Sequence, residues 1–188
     1  MSGDFSIGLA SLQREAAKLR GLPPVEKWNP PHCGDIDIRI ARDGTWFHLG
    51  SPIGRKELVR LFSTILRKDP DGFHLVTPAE KMRIAVEDAP FVAVLLQVEG
   101  TGRDQRLVFT TNVGDETVAG PDNPIRVETD PETKEPAPYV HVRRGLEAKI
   151  ARPVFYQLAD LAQSGEGEQS GFLGVWSGGV FFPLGRPV

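Results

Sequence analysis

The chain has 188 residues, 22 basic and 25 acidic, for a formal net charge of −3. That length suits one large domain or two small ones, and it can bury a core without disulfides or metals. The charges are interspersed and the cations around Arg60 and Arg67 are sparse, which excludes the phosphate-neutralising face that nucleic-acid binding needs.

Taken in chain order, the start MSGDFSIGLA lacks the basic residues and apolar run of a signal peptide. Residues 4–20 predict an amphipathic helix with Phe5, Leu9, Leu12, Ala16 and Leu19 on one face, stopped by Gly21 and Pro23-Pro24. Residues 35–49 predict a β-hairpin. Ile36, Ile38 and Ile40 alternate with Asp35, Asp37 and Arg39, and Asp43-Gly44 supplies the turn. Leu58, Leu61, Phe62, Ile65 and Leu66 form a helical stripe, so a helix is expected to run on to the breaker DPDG at residues 69–72.

Five β-rich runs follow: FHLVTP, KMRIAVED, FVAVLLQVEG, RLVFTTN and IRVETD. The longest apolar stretch, FVAVLLQV, falls far short of the roughly 20 residues of a membrane-spanning helix. Residues 130–138 read as a proline-rich polar loop. YVHVRRGLEAKI resumes the strand pattern, ARPVFYQLADLAQ reads as a helix, and FLGVWSGGVFFPLG reads as a final hairpin turning at Gly178-Gly179. The 20 glycines and 16 prolines are spread along the chain, as many turns between short strands require.

A weak internal repeat runs through this order. IRIARDGTWFHLGSPIGRKELVRLF and VHVRRGLEAKIARPVFYQLADLA both read as strand, Gly turn, strand, proline, helix, about a hundred residues apart. Gly44 pairs with Gly145, Pro52 with Pro153, and Phe73 with Phe172. The expected fold is α+β: two similar lobes from a duplication, each a curved antiparallel sheet with one helix. The lobes are expected at residues 22–87 and 88–188, after an N-terminal helix at 1–21. A groove between duplicated lobes is a default ligand site.

Candidate chemistry is thin. Cys33 is the sole cysteine, so no internal disulfide forms and a reducing, cytoplasmic setting is expected. His32, His48, His74 and His141 are scattered, with no paired spacing of the kind zinc sites use, so no metal and no cofactor are expected. Gly100-Thr101-Gly102 joins two strands and is no phosphate loop; neither GxSxG nor HExxH occurs. What remains is a set of polar and aromatic residues near loops: Trp28, Asn29, Arg39, Trp46, Arg55, Glu80, Lys81, Asp88 and Asn112. Arg55 opposes the dipole at a helix start, so it is expected to bond a carboxylate such as Asp88 or an anionic ligand.

The strings WNPPHCGDIDIRIARDGTWFHLGSPIGRKELVRLF, DGFHLVTPAEKMRIAVEDAPFVAV, LVFTTNVGDE, PIRV and PYVHVRRGLEAKIARPVFYQL resemble a bacterial family of uncharacterised proteins, domain of unknown function 1285. The resemblance covers residue 28 to about residue 160. It implies a duplicated α+β core, a C-terminal part loosely similar to pleckstrin-homology folds, a binding site where the lobes meet, and a role in bacterial signalling. It implies no reaction. The expectation is therefore a non-catalytic binding protein for a small polar ligand or a protein partner between the lobes. The alternatives are a hydrolase using Asp37, His48 or Cys33, and an interaction scaffold that uses a sheet edge or the N-terminal helix.

Overall fold

The computed structural model describes residues 4–187, with side chains from residue 8 onward. The chain divides into two units, Met1–Asp88 and Ala89–Val188. No described helix is long and apolar enough to cross a membrane.

The first unit starts with α1 (Asp4–Ala17). Its Leu12 and Ala16 are fully buried against α2 and β1, as their helical spacing requires. The side chain of Phe5, expected on the same face, lies outside the described residues. After a 3-10 turn at Val25–Lys27 comes β1 (His32–Ile40), whose three isoleucines are buried while Asp35 and Asp37 face out. β2 (Trp46–His48) returns antiparallel to β1. In the turn between them the Asp43 carboxylate accepts the Thr45 N–H at 2.9 Å and Gly44 takes a φ of 87°. β3 (Ser51–Pro52) follows a two-residue turn, Leu49-Gly50, with both φ values positive.

α2 (Lys56–Thr64) lays Leu58 and Phe62 on the core, where Phe62 stacks on Trp46 with centroids 6.5 Å apart. The helix stops five residues short of the expected breaker. Leu66–Asp69 is instead β4, paired with β5 (Gly72–Val76) around a turn at Pro70-Asp71. Two hydroxyls mark the end: Ser63 donates to the Arg60 carbonyl and Thr64 to the Leu61 carbonyl. Ile65 and Leu66 bury their side chains in either conformation, so hydrophobic spacing alone cannot separate the two. β6 (Glu80–Val86) completes a sheet of order β3-β2-β1-β6-β5-β4, antiparallel except where β1 and β6 run parallel.

The second unit contains β7 (Phe91–Glu99), β8 (Arg106–Thr111), β9 (Glu116–Val118), β10 (Ile125–Thr129), β11 (Pro136–Arg143) and β12 (Leu146–Ile150). They form a sheet of order β10-β11-β12-β7-β8-β9, again with one parallel pair, β12 and β7. α3 (Arg152–Asp160) packs on β7 and on the small sheet of β13 (Gln163–Ser164), β14 (Leu173–Ser177) and β15 (Val180–Gly185). Ser177 ties that small sheet to the large one: its buried hydroxyl accepts the Leu107 N–H and donates to the Ala119 carbonyl. A side chain at Gly174 would lie 2.3 Å from the Phe182 carbonyl, so glycine is required there.

The duplication is plain in the sheets. Numbered from one to six within each unit, both orders read 3-2-1-6-5-4 with the parallel pair joining strands one and six. The helix moves, however. α2 lies between the third and fourth strands of its unit, whereas α3 follows the sixth. The two similar segments seen in the sequence therefore align β1–β2 with β11–β12, although sheet position makes β7–β8 the counterpart of β1–β2.

Candidate functional site: a charged hairpin in the first unit

Cross-strand register puts Arg67 of β4, His74 of β5 and Arg83 of β6 in one row on the face opposite the apolar core. Asp69 lies two residues from Arg67, and Lys81 two from Arg83, so both share that face. Arg67 is the organiser. Its Nε and Nη2 donate to the two oxygens of Asp69 at 2.8 and 2.9 Å, a forked contact. Its Nη1 donates to the carbonyls of Val25 and Trp28, both at 2.8 Å, which holds the 3-10 turn and the following segment against β4. Lys81 Nζ lies 3.3 Å from Asp69 Oδ2, and Arg83 donates to the Asp71 carbonyl.

His74 sits among these groups with its side chain only 4% exposed. Its Nδ1 is 3.3 Å from Asp69 Oδ2 and its Nε2 is 3.6 Å from Asp71 Oδ2. The first contact has ion-pair distance but not hydrogen-bond geometry, and the Nδ1 is left without a hydrogen-bond partner. Burial pushes the imidazole pKa below its usual value and outweighs the pull of Asp71 and Asp69; Lys81 and Arg67 act with burial. The ring is thus neutral at pH 7. Burial pushes the Asp69 carboxyl up, but the hydrogen bonds from Arg67 and Lys81 win and its pKa is lowered, which keeps it ionised. Asp69, Asp71 and His74 each offer one ligand atom within 4.8 Å of the others.

The residues expected from sequence separate. Trp28 and Lys81 join the cluster, Trp28 through its carbonyl and Lys81 through Asp69. Asn29 and Arg55 are exposed, Arg55 at the N-cap of α2, and Asp88 is half-buried. Arg39 lies 4.3 Å from the Phe47 ring and pairs with Glu87, a surface contact on β1 and β2. Trp46 is core, 1% exposed. Glu80 is half-buried with one carboxylate oxygen unpartnered. Asn112 belongs to the second unit, where its side chain accepts the Val92 N–H at 3.0 Å and fixes the end of β8 to β7. Asp37, His48 and Cys33 do not all share one face. His48 is opposite Ile38 on the core side, while Cys33 and Asp37 alternate to the other. The Cys33 sulfur contacts the Pro30 carbonyl at 3.9 Å.

Sequence reading missed Arg67, Asp69 and Asp71 as site residues and set His74 aside as one of four scattered histidines. The signal is there in LRKDPDGFH, with Asp69 before the Pro70-Asp71 turn, Asp71 within it and His74 after it. It is masked because Ile65 and Leu66 continue the helical stripe up to DPDG, which by itself signals only chain reversal.

Comparison with known proteins bears on the whole chain. Residues 23–89 match the family model described as domain of unknown function (DUF1285), N-terminal domain, and residues 90–184 match the corresponding C-terminal domain. A crystal structure of a DUF1285 family protein from Silicibacter pomeroyi DSS-3 is 58% identical, with 93% of this chain and 94% of that chain covered and a TM-score of 0.86. Another, from Shewanella baltica OS155, is 26% identical over 65% of this chain and 90% of that chain, with a TM-score of 0.51. No curated protein matches. With both family domains matched in order across nearly its full length, the chain belongs to the DUF1285 family.

Proposed function

We propose that the chain is a non-catalytic binding protein that takes a small polar ligand or a protein partner at the β4–β5 hairpin of its first unit. One observation carries the reading: the buried Nδ1 of His74 has no hydrogen-bond partner although ionic groups surround it. A buried polar atom left unpaired costs about 1–3 kcal/mol, and a ligand group that pairs with it recovers that cost. Arg67 and Asp69 are already fixed by four hydrogen bonds, so the groups that would meet a ligand need little reordering. No hydroxyl or thiol is hydrogen-bonded to His74 among the described residues, which favours binding over nucleophilic catalysis. The signalling role implied by the family resemblance suits such a protein. The exposed free thiol of Cys33 supports a reducing, cytoplasmic setting.

The test is a thermal-shift panel of nucleotides, amino acids, organic acids and metal ions on the full chain and on His74→Gln. A ligand at a hundredfold excess over its Kd stabilises by about 2.7 kcal/mol, or roughly 5–10 °C in Tm for a chain of this size. At least one compound is expected to raise the Tm of the wild type and not that of the variant. A panel without effect, or one whose hits shift both proteins equally, contradicts the proposal.

A further inference from the structure

We propose that the β4–β5 hairpin binds a divalent transition-metal ion, with Asp69 Oδ2 and His74 Nδ1 as ligands and the Asp71 carboxylate completing the protein donors. The inference rests on the binding reading of this hairpin and names the ligand's class.

Three observations converge on it. The three side chains bring one donor each to within 4.8 Å of the others. The His74 Nδ1 is buried, lies 3.3 Å from Asp69 Oδ2, and is used by no hydrogen bond. The distance between the two proposed ligand atoms is also suitable. With metal–ligand bonds of about 2.1 Å, donors 3.3 Å apart subtend roughly 105° at the ion, close to tetrahedral. Asp71 is a turn residue with its side chain 59% exposed, so its carboxylate can swing in from solvent.

The donor set selects the metal. One imidazole and two carboxylates suit zinc and its first-row neighbours, whereas calcium and magnesium prefer oxygen-only sets. The surrounding residues have defined parts. Arg67 grips both oxygens of Asp69 and orients it as outer-shell partners orient metal-ligating carboxylates. Lys81 is the competitor. Its ammonium stands 3.3 Å from Asp69 Oδ2, long for a charge-assisted bond, at the oxygen the ion would use. A single charge on a flexible stem can move aside, and its repulsion of the ion weakens binding.

Isothermal titration of the chelator-treated full chain with zinc chloride decides the matter, with calcium chloride as the control. We expect one zinc ion per chain and no calcium. Asp71→Asn, an exposed change that leaves the fold alone, is expected to weaken zinc binding about tenfold or more, and His74→Gln to abolish it. Lys81→Met is expected to tighten binding by roughly tenfold, since a competing cation is removed. Cys33→Ser is expected to change nothing. Zinc binding that survives in Asp71→Asn at full strength, that is lost in Cys33→Ser, or that weakens in Lys81→Met overturns the assignment, as does no binding to the wild type. Should His74→Gln fail to fold, Asp71→Asn and Lys81→Met still decide. If zinc fails while an organic ligand stabilises the wild type in a His74-dependent way, the metal assignment falls and the binding function stands.

Discussion

Trp46 and His74 lie on opposite faces of one sheet, and each buries a ring nitrogen that has no partner. Their surroundings give the two atoms different meanings. Trp46 faces Phe62 and the isoleucines of β1, so its ring is there for volume, and Trp46→Ala should cost about 3–5 kcal/mol in denaturant unfolding. His74 faces Asp69, Asp71, Arg67 and Lys81, where a polar partner belongs. Leu49 is another residue out of its usual place, 54% exposed and held at a φ of 51°. Glycine tolerates that conformation, so Leu49→Gly should raise stability by roughly 0.5–1 kcal/mol, read as an increase in Tm. Asp43 supplies the pH-dependent case. The Thr45 N–H holds its carboxyl below the usual carboxylate range. Its contribution is therefore complete above the unfolded value near 3.8 and fades as pH falls through the lower folded value. Asp43→Ala should flatten that acid limb in pH-dependent melting; an unchanged limb would count against the turn contact.

At the scale of elements, Arg67 joins β4, Asp69 and the segment around Val25 and Trp28 into one piece. Replacing it with methionine leaves two carbonyls and a largely buried carboxylate to be satisfied by Lys81 and water. Arg67→Met should cost about 2–4 kcal/mol and speed hydrogen exchange in residues 22–31 more than in α2. Equal exchange in both segments would show that Arg67 does not hold the segment down. Legibility in the sequence follows the same division. β1 and its turn were readable because isoleucines and aspartates alternate and Asp43-Gly44 punctuates them. α3 was readable from its apolar stripe and Pro153 in its first turn. β4 was not readable, because Ile65 and Leu66 continue the helical stripe of α2 and only pairing with β5 makes Leu66–Asp69 a strand. The candidate site failed with it, since Arg67, Asp69 and His74 share a face only once that hairpin exists.

At the scale of the whole chain, the same order of six strands with one parallel pair occurs in both units, while the helix shifts position. Sequence similarity caught the duplication through turn glycines and the prolines that come before or within the first turn of each helix. It aligned the wrong strands because those residues mark local features, Gly44 and Gly145 in turns, Pro52 in β3 and Pro153 in the first turn of α3, whereas strand order is set by pairing between distant segments. The second unit has its own charged contacts, Arg126 with Glu147 and Glu128, and Arg143 with Asp115. Burial opposes the charge on Arg126, but the hydrogen bonds it donates to Glu147 dominate and raise its pKa further. Arg126 is also stacked on Tyr139, which makes it a strut for the sheet. Among the described residues, only the first unit buries an imidazole with an unused nitrogen against two carboxylates, and the proposed binding function is placed there. Amide chemical-shift mapping of the isotope-labelled full chain, titrated with the strongest stabilising ligand of the thermal-shift panel, tests that assignment most directly. The account predicts shifts confined to residues 66–76, Lys81 and Arg83; shifts centred in residues 89–187, or spread evenly over both units, would contradict it.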